Sequence, residues 1–273
     1  MGEYIGIESS CDGQVALLRF TDRERGNQLC WAAIDELADA LEASIADGAR
    51  VLILASGLPG HWLQHASLAD LCAGLEGRPQ TGGGSGWFRS LSALADESII
   101  SIAAISGDSS GGGAELGWAC DFRIAERQAR VAQIEVNAGL TTGIGGCSRL
   151  MRLVGVTAVT DLVLTGRAVS AGRLFELGAI SELTDPGGSE ARALRTARDL
   201  LDKPAEAVSG LKRILRRAED LPLTDALAFE QATFQEVVRT SSALETMQAC
   251  QAAYDSGMGV AEVHDYPPSR SDS

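Results

Sequence analysis

Apolar positions run along this chain in two different patterns. Val51–Ala55 and Ile99–Ile105 are continuous apolar runs of strand length, as expected for strands buried on both faces. Between 30 and 46, Ile34, Leu37, Leu41 and Ile45 recur at helical spacing with acidic residues between them, which predicts an amphipathic helix. Upstream, Tyr4–Glu8 and Gln14–Phe20 read as short strands joined by a turn at Cys11-Asp12-Gly13. Asp121–Ala125 reads as a further strand. From about 148 onward the pattern is mostly helical. Asp202-Lys203-Pro204 ends one helix and starts another, whose Leu211, Ile214 and Leu215 form a stripe, and a longer amphipathic run covers 223–255. Strands without alternation, separated by helices, predict an α/β fold with a parallel sheet under helical cover. Between these elements, Gly74–Gly86 with PQTGGGSG at its centre predicts a mobile surface loop.

Composition narrows the possible partners. The 273 residues are 45% hydrophobic and 22% charged, ordinary values for a folded chain. There are 37 acidic against 23 basic residues, a net charge of −14, and the only lysines are Lys203 and Lys212. A phosphate-tracking nucleic-acid surface is not expected from that balance. Neither lysine follows a glycine and precedes Ser or Thr, which excludes a P-loop. No apolar run has membrane-spanning length and the N-terminal residues lack a basic, then apolar, leader pattern, so a cytoplasmic protein without a membrane partner is expected. The six cysteines at 11, 30, 72, 120, 147 and 250 show no CxxC spacing and are expected to be buried free thiols. His61, His65 and His264 form no ligand pattern, so no metal site is expected.

The densest candidate chemistry lies in ISGDSSGGGAEL, residues 105–116, and it admits three readings. Gly107-Asp108-Ser109-Ser110-Gly111 satisfies G-x-S-x-G between a strand and a helix, the setting of a serine nucleophile. The only histidine after it is His264, near the end of the chain. A dinucleotide loop at Gly143-Ile144-Gly145-Gly146 is weaker, because the third glycine of the fingerprint falls on Ser148. In the third reading the glycines act through backbone: free N–H groups at a helix start can hold an oxygen that gains negative charge. Glu115 follows one turn later, and Glu135 lies in the apolar stretch VAQIEVNAGL. Two carboxylates meeting in a dry pocket can share a water as base and acid, although capping or ion-paired glutamates would show the same spacing.

Residues 111–155, GGGAELGWACDFRIAERQARVAQIEVNAGLTTGIGGCSRLMRLVG, resemble the signature region of the crotonase (enoyl-CoA hydratase/isomerase) superfamily. Gly26-Asn27-Gln28-Leu29, Val51–Gly57, residues 165–183 and Leu211-Lys212 also resemble family segments, so the resemblance spans nearly the whole chain. It implies a repeated ββα spiral core over 1–190, a helical oligomerisation region over 191–262 and a flexible tail over 263–273. It also implies a homotrimer or dimer of trimers. The activity implied is a lyase of fatty acid metabolism that adds water syn across the C2=C3 bond of a 2-enoyl-CoA thioester. Other chemistry of the fold is the alternative: isomerisation, or dehydration or decarboxylation on a carrier-protein thioester. No separate cofactor is implied, coenzyme A arriving with the substrate. Residue by residue, Glu115 and Glu135 match the catalytic pair, and Ala66 and Gly112 match the oxyanion-hole amides. Trp62, His65, Ser67 and Leu68 fall in the segment that meets the coenzyme A thioester; a shifted register would make Ala69 the donor. The sequence departs from the family at His65, where a glycine is usual, at Ser67 for an aspartate, and at Ile100, Ile134 and Thr142.

Overall fold

The computed structural model describes residues 2–264. The described residues form two compact units, divided between Leu194 and Arg195. In the first, β1 (Ile5–Ser10) and β2 (Val15–Phe20) form a hairpin whose turn places Cys11, Asp12 and Gly13 at positive φ. Helix α1 (Trp31–Ala46) buries Ile34, Leu37 and Leu41, the stripe that its spacing predicts. Strand β3 (Val51–Ser56) follows, its first five residues buried. Then come β4 (Gly60–His61), α2 (Leu68–Leu75), α3 (Gly86–Ala95), β5 (Ile100–Ile105), β6 (Gly107–Ser110) and α4 (Gly111–Ala119). β7 (Phe122–Glu126), β8 (Arg130–Ala132) and a 3-10 turn at Glu135–Ala138 complete the part that builds the site. Helices α5 (Ser148–Val154), α6 (Val156–Thr165) and α7 (Ala171–Glu176), with β9 (Val169–Ser170) and β10 (Glu182–Thr184), lead to α8 (Ser189–Leu201).

The strands make two sheets. The six-stranded sheet has the order β1-β2-β3-β5-β7-β10 and is parallel apart from the β1–β2 hairpin. The four-stranded sheet has the order β4-β6-β8-β9. β3, β5 and β7 of the large sheet each pass into a short strand of the small one and then into a helix or helical turn. That recurrence is the repeated ββα plan, and it stacks the chain ends of β4, β6 and β8 beside one another.

The glycine-rich segment lies on the surface, as expected, and is tethered at its end: Asp35 of α1 accepts hydrogen bonds from Gly83 N at 3.0 Å and Gly86 N at 2.8 Å. Of the cysteines, Cys30 and Cys120 are buried as expected, but Cys72 and Cys147 are exposed.

The second unit takes up the helical remainder. α9 (Ala205–Ala218) and α10 (Leu223–Val237) approach closely at Gly210, where a Cβ would lie 2.9 Å from the Val237 side chain. The amphipathic run is two helices rather than one: α10 stops, Thr240 caps the next turn by accepting from Ala243 N, and α11 (Ser241–Asp255) begins. A short α12 (Val260–His264) follows, and the rest of the expected flexible tail lies outside the described residues.

Candidate active site

The start of α4 shows why three glycines stand in a row. Gly111 has φ +49, and a Cβ there would come within 2.9 Å of the His65 Cβ. A Cβ on Gly112 would lie 2.6 Å from the Trp87 ring, and one on Gly113 would lie 2.3 Å from the Leu63 carbonyl oxygen. The turn is therefore packed flush against the segment 62–66. Gly113 N donates to Gln64 O at 3.0 Å, whereas Gly112, one position earlier in the first turn, has no intrahelical acceptor. On the facing segment Leu29 and Ala66 form an isolated parallel bridge, Leu29 N donating to His65 O and Ser67 N to Leu29 O. That pairing uses the amides on either side of the bridge and leaves the Ala66 N–H turned away from Leu29.

Ala66, Gly112, Glu115 and Glu135 all line one cavity of about 620 Å³. Its walls are mostly apolar, with Trp31, Leu71, Leu75, Trp87, Phe88 and Leu140 among them. The glycine-rich segment contributes Gln80 and Gly83 to the same wall. His65 and Leu68 also face it, while Trp62 and Ser67 do not line it. Trp62 is fully buried in the core, and the Ser67 hydroxyl caps α2 by accepting from Asp70 N at 3.2 Å. Ala69 is likewise absent from the wall.

Each glutamate is oriented by groups outside the matched catalytic pair. Glu115 is 3% exposed, and its Oε1 accepts from Ile144 N at 3.0 Å and Gly146 N at 2.7 Å. The glycine-rich stretch 142–146 is thus a cradle for a carboxylate, and not a nucleotide loop. It leaves Oε2 of Glu115 for another partner. Glu135 starts the 3-10 turn, and Gln133 Nε2 donates to it at 3.2 Å. Gln133 is itself fixed, because its Oε1 accepts from Trp118 Nε1 at 2.9 Å. Burial, with a smaller contribution from the Glu115 charge, raises the Glu135 carboxyl above its usual range.

The serine of the GDSSG turn is committed elsewhere. Ser109 is 3% exposed and its Oγ donates to Leu63 O at 2.7 Å, so it has neither a base nor access to the cavity. Two carboxyl groups lining one mostly apolar cavity with Ala66 and Gly112 are a set of groups that suits enolate chemistry on a thioester.

Residues 10–254 match the family described as enoyl-CoA hydratase/isomerase. The chain belongs to the enoyl-CoA hydratase/isomerase family. A Rhizobium meliloti protein described as "Probable enoyl-CoA hydratase" is 31% identical over 242 residues, 87% of this chain and 91% of its own length. A short-chain-enoyl-CoA hydratase of Clostridium acetobutylicum is 34% identical over 148 residues, 54% of this chain and 57% of its own. The crystal structure of a Bacillus anthracis enoyl-CoA hydratase superposes with a TM-score of 0.82 at 25% identity, covering 92% of this chain and 96% of that one. As a member of the enoyl-CoA hydratase/isomerase family the chain has the crotonase fold with a C-terminal helical region. Among its described residues no helix is long and apolar enough to cross a membrane.

Proposed function

We propose that this protein is an enoyl-CoA hydratase, adding water syn across the C2=C3 bond of a 2-enoyl-CoA thioester. The observation that carries the reading is that both glutamates line one cavity with Ala66 and Gly112. In this reading the two N–H groups hold the thioester oxygen, which gains charge as C2=C3 electrons move toward it; one such donor typically contributes about 10²–10³ in rate. The free Oε2 of Glu115 takes a proton from water as its oxygen bonds to C3. Glu135, whose raised affinity for a proton suits an acid, protonates C2. The water is consumed, and passage of the proton from Glu115 back to Glu135 resets the pair. Coenzyme A enters only as part of the substrate.

The test is a panel of 2-enoyl-CoA thioesters followed by loss of the conjugated-thioester absorbance. Hydration that falls about 10²–10⁴-fold in Glu135→Gln, with a comparable fall in Glu115→Gln, supports the assignment. Unchanged turnover in Glu115→Gln with loss in Glu135→Gln would replace hydration by a single-acid reaction such as isomerisation.

A further inference from the structure

The GDSSG turn has no place in the hydration scheme, yet two of its residues, Asp108 and Ser110, fix the side chain of His65. Gln64 Nε2 donates to the Asp108 carbonyl, which can only accept, so Gln64 Oε1 is the free end of that amide. Ser110 Oγ donates to this Oε1 at 3.0 Å, spending the one hydroxyl proton. What remains on Ser110 is two lone pairs. His65 N donates to one at 3.3 Å, and His65 Nδ1 lies 3.2 Å from the same oxygen. With no proton left on Ser110, that last contact holds only if Nδ1 carries the hydrogen. The imidazole is then the Nδ1–H tautomer, and Nε2 is a bare acceptor.

His65 lines the cavity immediately beside Ala66, and its Cβ and Glu135 Oε1 flank the same face of Gly111. The other ionisable groups of the wall have assigned tasks: Asp70 Oδ2 accepts from Trp31 N at 2.9 Å, and Glu115 and Glu135 serve the water. Burial holds the imidazole below its ordinary range and so in the neutral form. An acceptor of fixed direction on a mostly apolar wall discriminates among ligands, because a ligand without a donor removes its water and returns nothing.

We propose that His65 is a specificity residue, its Nε2 accepting a hydrogen bond from a hydroxyl on the acyl part of the thioester. Ser110 and Gln64 are positioning residues for it. The proposal rests on the reading of Ala66 as a thioester donor, and it specifies the substrate class as hydroxylated acyl thioesters.

The test compares but-2-enoyl-CoA and pent-2-enoyl-CoA with their 4-hydroxy and 5-hydroxy counterparts, reading the kcat/KM ratio within each pair. The wild type should favour a hydroxylated member by about tenfold or more. His65→Leu should bring that ratio to about one, and Ser110→Ala should lower it by letting the ring turn. Because each ratio is internal to one variant, partial loss of folded protein does not imitate the effect. ¹⁵N-histidine spectra of the wild type, with only three histidines to separate, should show His65 protonated at Nδ1 and bare at Nε2. If the wild type hydrates neither member, calorimetric affinities of the same pairs carry the comparison. A persisting preference there would remove the hydratase reading and leave the His65 role standing. Ratios of about one for both pairs in the wild type, or an Nε2–H tautomer, would overturn the proposal.

Discussion

Glu135 shows how one residue's setting raises a carboxyl's affinity for its proton. Its raised proton affinity arises from burial first and from the Glu115 charge second. A group that must be protonated to react loses function as pH rises through its raised value. The kcat/KM profile of the wild type should therefore fall on the alkaline side of the ordinary carboxyl range, and Glu135→Gln should lack that limb. The same shift carries a stability sign. The folded state binds this proton more tightly than the unfolded state, so stability falls as pH rises from the unfolded value through the folded one. Glu135→Gln should then raise the melting temperature at pH 8 and leave it unchanged at acid pH, where both states hold the proton; an equal gain at both pH values would contradict burial of the charge as the cause. Combining Glu115→Gln with Glu135→Gln should cost much less than the product of the single losses, since in the proposed hydration both act on one transition state. Ser109→Ala should retain most activity, and the parent protein should resist labelling by a fluorophosphonate. The same substitution should lose about 1 kcal/mol of stability with the hydrogen bond to Leu63. In the sequence, only the family resemblance pairs the two glutamates as candidates for catalysis. The glycine-rich stretch at 143–146 stands out in the sequence, but not as the cradle of Glu115, because Ile144 and Gly146 act through backbone, and Gln133 meets Trp118 fifteen residues away.

Among the elements, those that read correctly from sequence are the ones whose burial leaves a regular pattern. The apolar runs became β3 and β5, and the stripe at 34, 37 and 41 became the buried face of α1. β4, β8 and β9 span only two or three residues each and carry no period to detect. α3 was hidden behind the glycines that precede it, and its N-terminus depends on a residue about fifty positions upstream. Ser85 makes no side-chain cap; Asp35 supplies it instead, accepting from Gly86 N while its second oxygen takes Gly83 N. One carboxylate thus joins α1, the glycine segment and the cavity wall. Asp35→Ala should cost about 1 kcal/mol, as lost caps do. It should also raise KM for the thioester several-fold with kcat little changed, because the wall containing Gln80 and Gly83 loses its tether while the glutamates keep theirs. Steady-state kinetics beside thermal unfolding would check both parts, and a fall confined to kcat would contradict the positioning argument.

At the scale of the whole molecule, the helical unit leaves apolar residues in water at regular spacing. Leu211 and Leu215 stand one turn apart on α9 with 60% and 72% of their surface exposed. Leu223, Leu227 and Phe234 repeat the pattern on α10. Exposed apolar stripes of this kind mark association surfaces more often than monomer surfaces, and the family resemblance anticipates a trimer or a dimer of trimers. The net charge of −14 opposes assembly, since each copy repels the next. Association driven by apolar burial against that repulsion should strengthen as salt screens the charges. Sedimentation velocity should therefore show an oligomer whose dissociation constant falls between low and moderate ionic strength. Leu215→Glu and Leu227→Glu, placing charge on each stripe, should shift the protein toward monomer with helical content by circular dichroism unchanged. A concentration-independent monomer in the wild type at every salt concentration would exclude the trimer, and dissociation with rising salt would show that ion pairs, rather than the leucine stripes, hold the copies together.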